Sequence, residues 1–129
     1  MGDNNTTSEW TKVSRKASDG GKLAEDLSAR FLEQRGLAVL TRNFRCRGGE
    51  IDLVCRDGKA IVFVEVRLRR NDDYGGAAAS ITARKQRRII LAAKLYLAAH
   101  GKTECACRFD CVLLDGEKIV WVRDAFAAN

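Results

Sequence analysis

The spacing of apolar residues predicts a helix followed by three strands. Leu23, Leu27 and Phe31 recur every four residues, which predicts a first helix near residues 22–35. Apolar runs rich in β-branched residues predict the strands, near residues 38–44, 50–56 and 60–69. Asp57-Gly58 is a hairpin turn signal, so the second and third strands are predicted to pair antiparallel.

The second half of the chain predicts a long helix and a final pair of strands. Ser80 or Thr82 can cap a helix that extends to about His100. Strands are expected near residues 106–114 and 118–122. Because a helix joins the third strand to the fourth, a parallel crossover is expected there. We therefore predict an α/β fold with a mixed central sheet of about five strands, flanked by helices.

Residues 1–19 lack this periodicity and are polar, so we predict a disordered tail before a single domain of residues 20–129. The 129 residues, 46% of them hydrophobic, suffice for one modest core. No apolar run approaches the ~20 residues of a membrane span, and the N-terminus lacks the apolar core of a secretory signal. Five cysteines, an odd count that suits reduced thiols, favour a cytoplasmic protein without membrane association.

Two of the predicted strands carry carboxylates among apolar neighbours. Glu50 and Asp52 lie in the second strand, and Glu65 lies in the third, two residues before Arg67. Side chains alternate along a strand, so Glu50 and Asp52 are expected on one face. A turn centred on Asp57-Gly58 places Glu50 opposite Glu65, whereas a turn shifted by one residue places Asp52 opposite Glu65. In either register the four side chains cluster on one face of the sheet.

Such a cluster of acids requires positive charge, because like charges that face each other destabilise a sheet. Arg67 supplies one positive charge, and a divalent cation would supply the rest. Oxygen-rich sites favour Mg²⁺ or Mn²⁺, and such an ion beside a basic surface suits phosphodiester hydrolysis. The alternative is an electrostatic network in which Glu50 and Asp52 form salt bridges with Arg67, Arg69 or Arg45.

The excess positive charge of the chain surrounds these acids. The formal net charge is +6, residues 42–88 hold twelve basic and six acidic residues, and the remainder holds eleven of each. A concentrated basic surface favours a polyanionic partner, most often nucleic acid, although it can also be an ordinary solvated face. The candidate contacts are Arg45, Arg47, Arg69, Arg70, Arg84, Lys85, Arg87 and Arg88.

Several segments in a fixed order resemble a known family. Asp, a hairpin and then Glu-x-Lys on the next strand form the signature of the PD-(D/E)xK superfamily, whose fold is restriction-endonuclease-like. More closely, the chain resembles the bacterial YraN family of this superfamily over about residues 20–127. The matching segments are 48–54 (GGEIDLV), 63–67 (FVEVR), 74–80 (YGGAAAS), 85–86 (KQ) and 107–110 (CRFD). Predicted relatives of that family include archaeal Holliday-junction resolvases.

The resemblance implies roles for individual residues. It implies that metal is bound by Asp52, Glu65, Glu25 and Glu50. It implies that the catalytic residues are Asp52, Glu65, Arg67 and Gln86. Arg67 stands where the superfamily usually has a catalytic Lys, and an Arg that is always charged can bind phosphate but cannot act as a general base. Glu25 lies about 110° from the centre of its helix's apolar stripe, so it either reaches the site or is solvated.

The function that the resemblance implies is a Mg²⁺- or Mn²⁺-dependent nuclease, or a nuclease-like nucleic-acid-binding protein, in DNA repair or recombination. DNA is favoured over RNA as its partner. Two alternatives stay open: a module that binds nucleic acid without cleaving it, and a protein-interaction subunit that uses the same fold. A resolvase-like role requires a two-fold dimer, and the sequence leaves the oligomeric state open.

Overall fold

The computed structural model describes residues 17–69 and 81–128. In this part of the chain, helix α1 covers Ala17–Gln34 and helix α2 covers Ala83–Ala99. Strands β1 to β5 cover, in order, Ala38–Cys46, Gly49–Asp57, Ala60–Leu68, Cys107–Asp115 and Lys118–Phe126. Helix α1 therefore begins at Ala17, about five residues before its predicted start. Residues 1–16 of the predicted tail lie outside the described residues, as do Arg70 and Ser80.

The strands form one mixed sheet in the order β1-β2-β3-β4-β5. Neighbouring strands are antiparallel except β3 and β4, which are parallel. Helix α2 lies between β3 and β4 in the chain and makes the crossover that a parallel pair requires. The predicted α/β fold, with a mixed sheet of five strands and flanking helices, is confirmed, and it agrees with a restriction-endonuclease-like fold.

Two apolar layers hold the helices against the two faces of the sheet. Helix α1 packs Ala29 and Leu32 against side chains that include Val62. Helix α2 packs Ile89 and Tyr96 against the other face. Fully burying one such aliphatic or aromatic side chain stabilises the fold by about 1.5–3 kcal/mol. Within the described ranges, neither helix has the length and apolar character needed to cross a membrane.

The turn between β2 and β3 fixes which residues of the two strands face each other. Asp57 pairs with Ala60, so Gly58 and Lys59 are the central turn residues. The register that centres the turn on Asp57-Gly58 is therefore wrong, and the register shifted by one residue is correct. The reason is that Gly58 adopts a φ of +62°, at the position where a type II′ hairpin turn requires glycine.

The β2–β3 ladder stops halfway along both strands. Its pairs run from Asp57 with Ala60 to Leu53 with Val64. Beyond that point, residues 49–51 of β2 pair with β1, and residues 65–68 of β3 pair with β4. The sheet therefore opens between residues 49–52 and residues 65–68. We call this opening the fork, and Asp52 and Glu65 are the first residues on its two sides.

A buried carboxylate fastens the sheet where β4 and β5 pair. The Asp110 side chain is 0% exposed. Its oxygens accept hydrogen bonds from Arg108 Nε (3.0 Å), Trp121 Nε1 (2.9 Å) and the backbone N–H of Asp124 (2.8 Å). Arg108 also donates to Asp57 Oδ2 (2.9 Å), at the end of β2. Because every partner is a donor, this buried charge is compensated within the protein.

Candidate functional site

Asp52 closes the inner end of the fork with its side chain. Its Oδ2 accepts a hydrogen bond from the backbone N–H of Val66 in β3, with N and O 2.8 Å apart. An N–H of β3 would otherwise meet a carbonyl of β2 in a continuous ladder. The Asp52 carboxylate therefore replaces a backbone acceptor at the point where the two strands separate.

Side-chain alternation is interrupted at Asp52. Ile51 packs into the apolar layer under α2, whereas Leu53 packs into the layer under α1. An unbroken strand would point both residues to the same face. Across the β1–β2 ladder, Asn43 adopts a left-handed backbone with a φ of +54°. The alternation from which Glu50 and Asp52 are predicted to share a face therefore does not hold at this point.

Glu65 is the second acid at the fork, and it is 5% exposed. Its carboxyl group lies within hydrogen-bonding reach of the Asp52 carboxylate. Two cationic side chains approach Glu65 Oε2: Lys85 Nζ at 3.7 Å and Arg67 Nη1 at 3.9 Å. The structure thus brings the predicted site residues Asp52, Glu65 and Arg67 together and adds Lys85 from α2.

The nearby positive charges do not fully compensate the burial of the two acids. Burial, and then the charge of Asp52, raise the pKa of Glu65 from 4.5 to about 8, although Lys85 and Arg67 act in the opposite direction. Burial also raises the pKa of Asp52, and the hydrogen bond from the Val66 N–H partly offsets this effect. At neutral pH the pair therefore favours keeping one proton, which an incoming cation could replace.

Lys85 is the functional side chain that the sequence did not assign to the acids, since we predict it only as a nucleic-acid contact. It lies in the first turn of α2, where Thr82 caps the helix and its Oγ1 accepts a hydrogen bond from the Lys85 N–H (3.1 Å). The available signal was the position of this lysine three residues after a capping threonine. The helix that it opens is the crossover from β3, the strand that carries Glu65.

The remaining predicted site residues lie around this centre. Glu25 of α1 is close enough to Asp52 for burial and that charge to raise its pKa, and its Oε1 accepts a hydrogen bond from Asn43 Nδ2 (2.8 Å). Gln86 donates its side-chain amide to the Ile81 carbonyl (3.0 Å), at the start of α2. Glu50 adds negative charge that acts on Asp52.

Most of the predicted nucleic-acid contacts are arginines, which lie at the end of β1, after β3 and in the first half of α2. Arg69 forms an ion pair with Asp115 (3.4 Å). Within residues 17–69 and 81–128, no ion-pair partner is found for the other arginines of the predicted set. These are Arg45, Arg47, Arg84, Arg87 and Arg88. All of them are exposed except Arg88, which is half-buried, and exposed arginines suit contact with a polyanion.

Gly49 brings the start of β2 against helix α2. It begins β2 directly after the turn that holds Arg47, and it lies against α2. A Cβ atom on Gly49 would be 2.1 Å from the Arg88 carbonyl oxygen, so only glycine allows this approach. The β1–β2 turn, which holds Arg47, therefore lies against helix α2 at Arg88.

The acids of the fork suit a hard divalent cation. Among the described residues, no three His, Cys, Asp or Glu side chains form a ready-made metal cluster. A dedicated all-protein cage is not what Mg²⁺ requires, because this ion is commonly bound by one or two carboxylates together with water and substrate phosphates. Asp52 and Glu65 supply such a pair, with Glu25 and Glu50 adding negative charge nearby.

The fold and the site define an α/β protein with a buried acidic pair, faced by two cationic side chains, where its sheet divides. Residues 24–114 match the family model described as "Uncharacterised protein family UPF0102". The chain belongs to this family, and the predicted membership of the YraN family is confirmed.

Relatives of this family cover nearly the same length. A UPF0102 protein of Dechloromonas aromatica (strain RCB) is 63% identical over 109 residues, which are 84% of this chain and 89% of that relative. One from Ralstonia pickettii (strain 12J) is 53% identical over 113 residues, with 84% and 90% covered. One from Aeromonas hydrophila subsp. hydrophila is 47% identical over 120 residues, with 92% of each chain covered.

Proposed function

We propose that the protein is a Mg²⁺- or Mn²⁺-dependent nuclease of the cytoplasm that acts on DNA in repair or recombination. The observation that carries the proposal is the buried pair Asp52 and Glu65, faced by Lys85 and Arg67 at the fork. Two acids that share too little positive charge, beside a basic surface, suit a site that receives a cation and a phosphate together.

Each side chain has a defined task in this proposal. Asp52 and Glu65 would hold the cation, which supplies Lewis-acid stabilisation of negative charge on the phosphate. Arg67 would bind and orient the phosphate oxygens through its planar, permanently charged guanidinium group. Lys85 supplies the amine that position 67 lacks, and its ammonium on a flexible side chain can follow the phosphate as a point charge. Its side chain is 29% exposed, so it remains accessible to a substrate.

The basic surface would hold the nucleic-acid backbone. Arg47 lies in the β1–β2 turn and Arg88 lies in α2, and the two elements touch at Gly49, where β2 begins. Contacts between arginines and phosphates depend strongly on salt and carry little sequence information. Binding is therefore expected to weaken steeply between 50 and 200 mM salt, by about 10-fold or more if only a few phosphates are contacted.

The experiment measures cleavage of linear, branched and single-stranded DNA, and of RNA, by the purified protein with Mg²⁺ or Mn²⁺. Asp52→Asn keeps an acceptor for the Val66 N–H while it removes charge, and we expect cleavage to fall by about 100-fold or more. Lys85→Ala is expected to lower cleavage, while Lys94→Ala, which changes an exposed lysine farther along α2, serves as its control. The proposal fails if no substrate is cut or if Asp52→Asn cuts as well as wild type.

A second candidate is a module that binds nucleic acid without cleaving it. Arg67 in place of the usual lysine favours this candidate. It predicts salt-sensitive binding, no cleavage and no gain in thermal stability with divalent cations. Negligible binding at physiological salt would instead point to a protein-interaction subunit.

A further inference from the structure

Asn43 does more than occupy an unusual backbone position. In the described residues, Asn43 and Asp124 are the two residues other than glycine with a positive φ, at +54° and +52°. Asparagine tolerates this conformation, and glycine tolerates it even better. The backbone alone therefore does not require an amide at this position, yet the Asn43 amide donates to Glu25 Oε1 at 2.8 Å.

The hydrogen bond from Asn43 fixes Glu25 beside the fork. Asn43 lies opposite Asp52 in the β1–β2 ladder, between the pair Arg42 with Leu53 and the next pair along. The preceding residue, Arg42, forms an ion pair with Asp26 of α1. Two consecutive residues of β1 thus hold two consecutive acids of α1. Glu25 has several rotatable bonds, and its hydrogen bond to Asn43 holds its carboxylate at the residue that faces Asp52.

We propose that Asn43 is a positioning residue that holds the Glu25 carboxylate beside the pair Asp52 and Glu65, and so sets the affinity of that pair for a divalent cation. This inference rests on the proposed function. Side chains that orient the ligands of a metal typically change its affinity by 10–100-fold when they are removed. Asn43 acts through Glu25, and the amide, rather than the left-handed backbone, carries the effect.

The test measures Mn²⁺ binding to the full chain directly, from the free-ion EPR signal, and Mg²⁺ binding from the melting temperature. Asn43→Gly removes the amide but keeps a residue suited to the positive φ, so the fold is expected to persist. We expect the Kd for Mn²⁺ to rise by about 10-fold. Asp124→Gly makes the same backbone change in β5, where the backbone N–H bonds to Asp110, and is expected to leave the Kd unchanged.

A double-mutant cycle tests whether Asn43 acts through Glu25. Glu25→Gln is expected to weaken binding by a similar factor, and Asn43→Gly added to it is expected to cause no further loss. An equal Kd in Asn43→Gly and wild type would overturn this inference alone. A full additional loss in the double variant would overturn it too, because Asn43 would then act independently. Absence of binding in wild type would overturn both this inference and the proposed cation site.

Discussion

Replacement of Glu65 with glutamine should change how the stability of the protein depends on pH. In the folded protein, the pKa of Glu65 rises from 4.5 to about 8, so the folded state keeps a proton that the unfolded state releases. The stability that the protein has with Glu65 protonated is fully present below pH 4.5 and is lost as the pH rises through 8. Each pKa unit corresponds to about 1.4 kcal/mol. The free energy of unfolding therefore falls by roughly 3 kcal/mol between pH 5 and 7.5 because of Glu65.

The assay is thermal or urea unfolding across this pH range, in a chelating buffer free of divalent cations. Wild type should lose on the order of 10 °C in Tm between pH 5 and 7.5 through this group. Glu65→Gln has no proton to release, so its stability should fall much less and exceed that of wild type at pH 7.5. Glu33→Gln, at an exposed position of α1, is the control and should keep the wild-type slope. Parallel curves for Glu65→Gln and wild type would refute the electrostatic conflict at the fork.

Three further predictions concern the stability of the fold. Gly49→Ala should destabilise the protein by about 3 kcal/mol, because its Cβ would meet the Arg88 carbonyl oxygen. Gly21→Ala, with open space around its Cβ, should stabilise α1 by up to about 1 kcal/mol in the same urea titration. Asp110→Ala should cost about 1–3 kcal/mol, since it leaves Trp121 Nε1 and the Asp124 N–H without their acceptor, yet any Mg²⁺-induced rise in Tm should persist.

The elements of the fold could be predicted from the sequence because their apolar spacing is regular. The helices, the five strands and the parallel β3–β4 pair follow from that spacing and from the helical crossover. The register of β2 and β3 could not be chosen, because Asp57-Gly58 and Gly58-Lys59 are both plausible turn centres. Which one forms depends on the conformation of Gly58, and that is decided by the packing of both strands against the helices.

The site itself could be predicted only in part. Carboxylates in apolar strands revealed Asp52 and Glu65, since a buried charge needs compensation. The approach of Lys85 to Glu65 depends on how α2 rotates about its axis, which no local pattern specifies. The contact of Asn43 with Glu25 depends on a left-handed residue inside a strand, an exception to the alternation from which faces are predicted.

The Asp52 carboxylate has a structural role as well as its proposed role in cation binding, because its Oδ2 accepts the hydrogen bond from the Val66 N–H. This bond is the last link between the two halves of the sheet, β1–β2 and β3–β4–β5, before they diverge. A change that removes the Asp52 acceptor therefore lengthens the opening as well as removing one of its two acids. Few substitutions at position 52 should therefore be tolerated, even apart from any role in cation binding. Only a side chain of the same length that presents an oxygen to Val66 leaves the two halves joined where they are now.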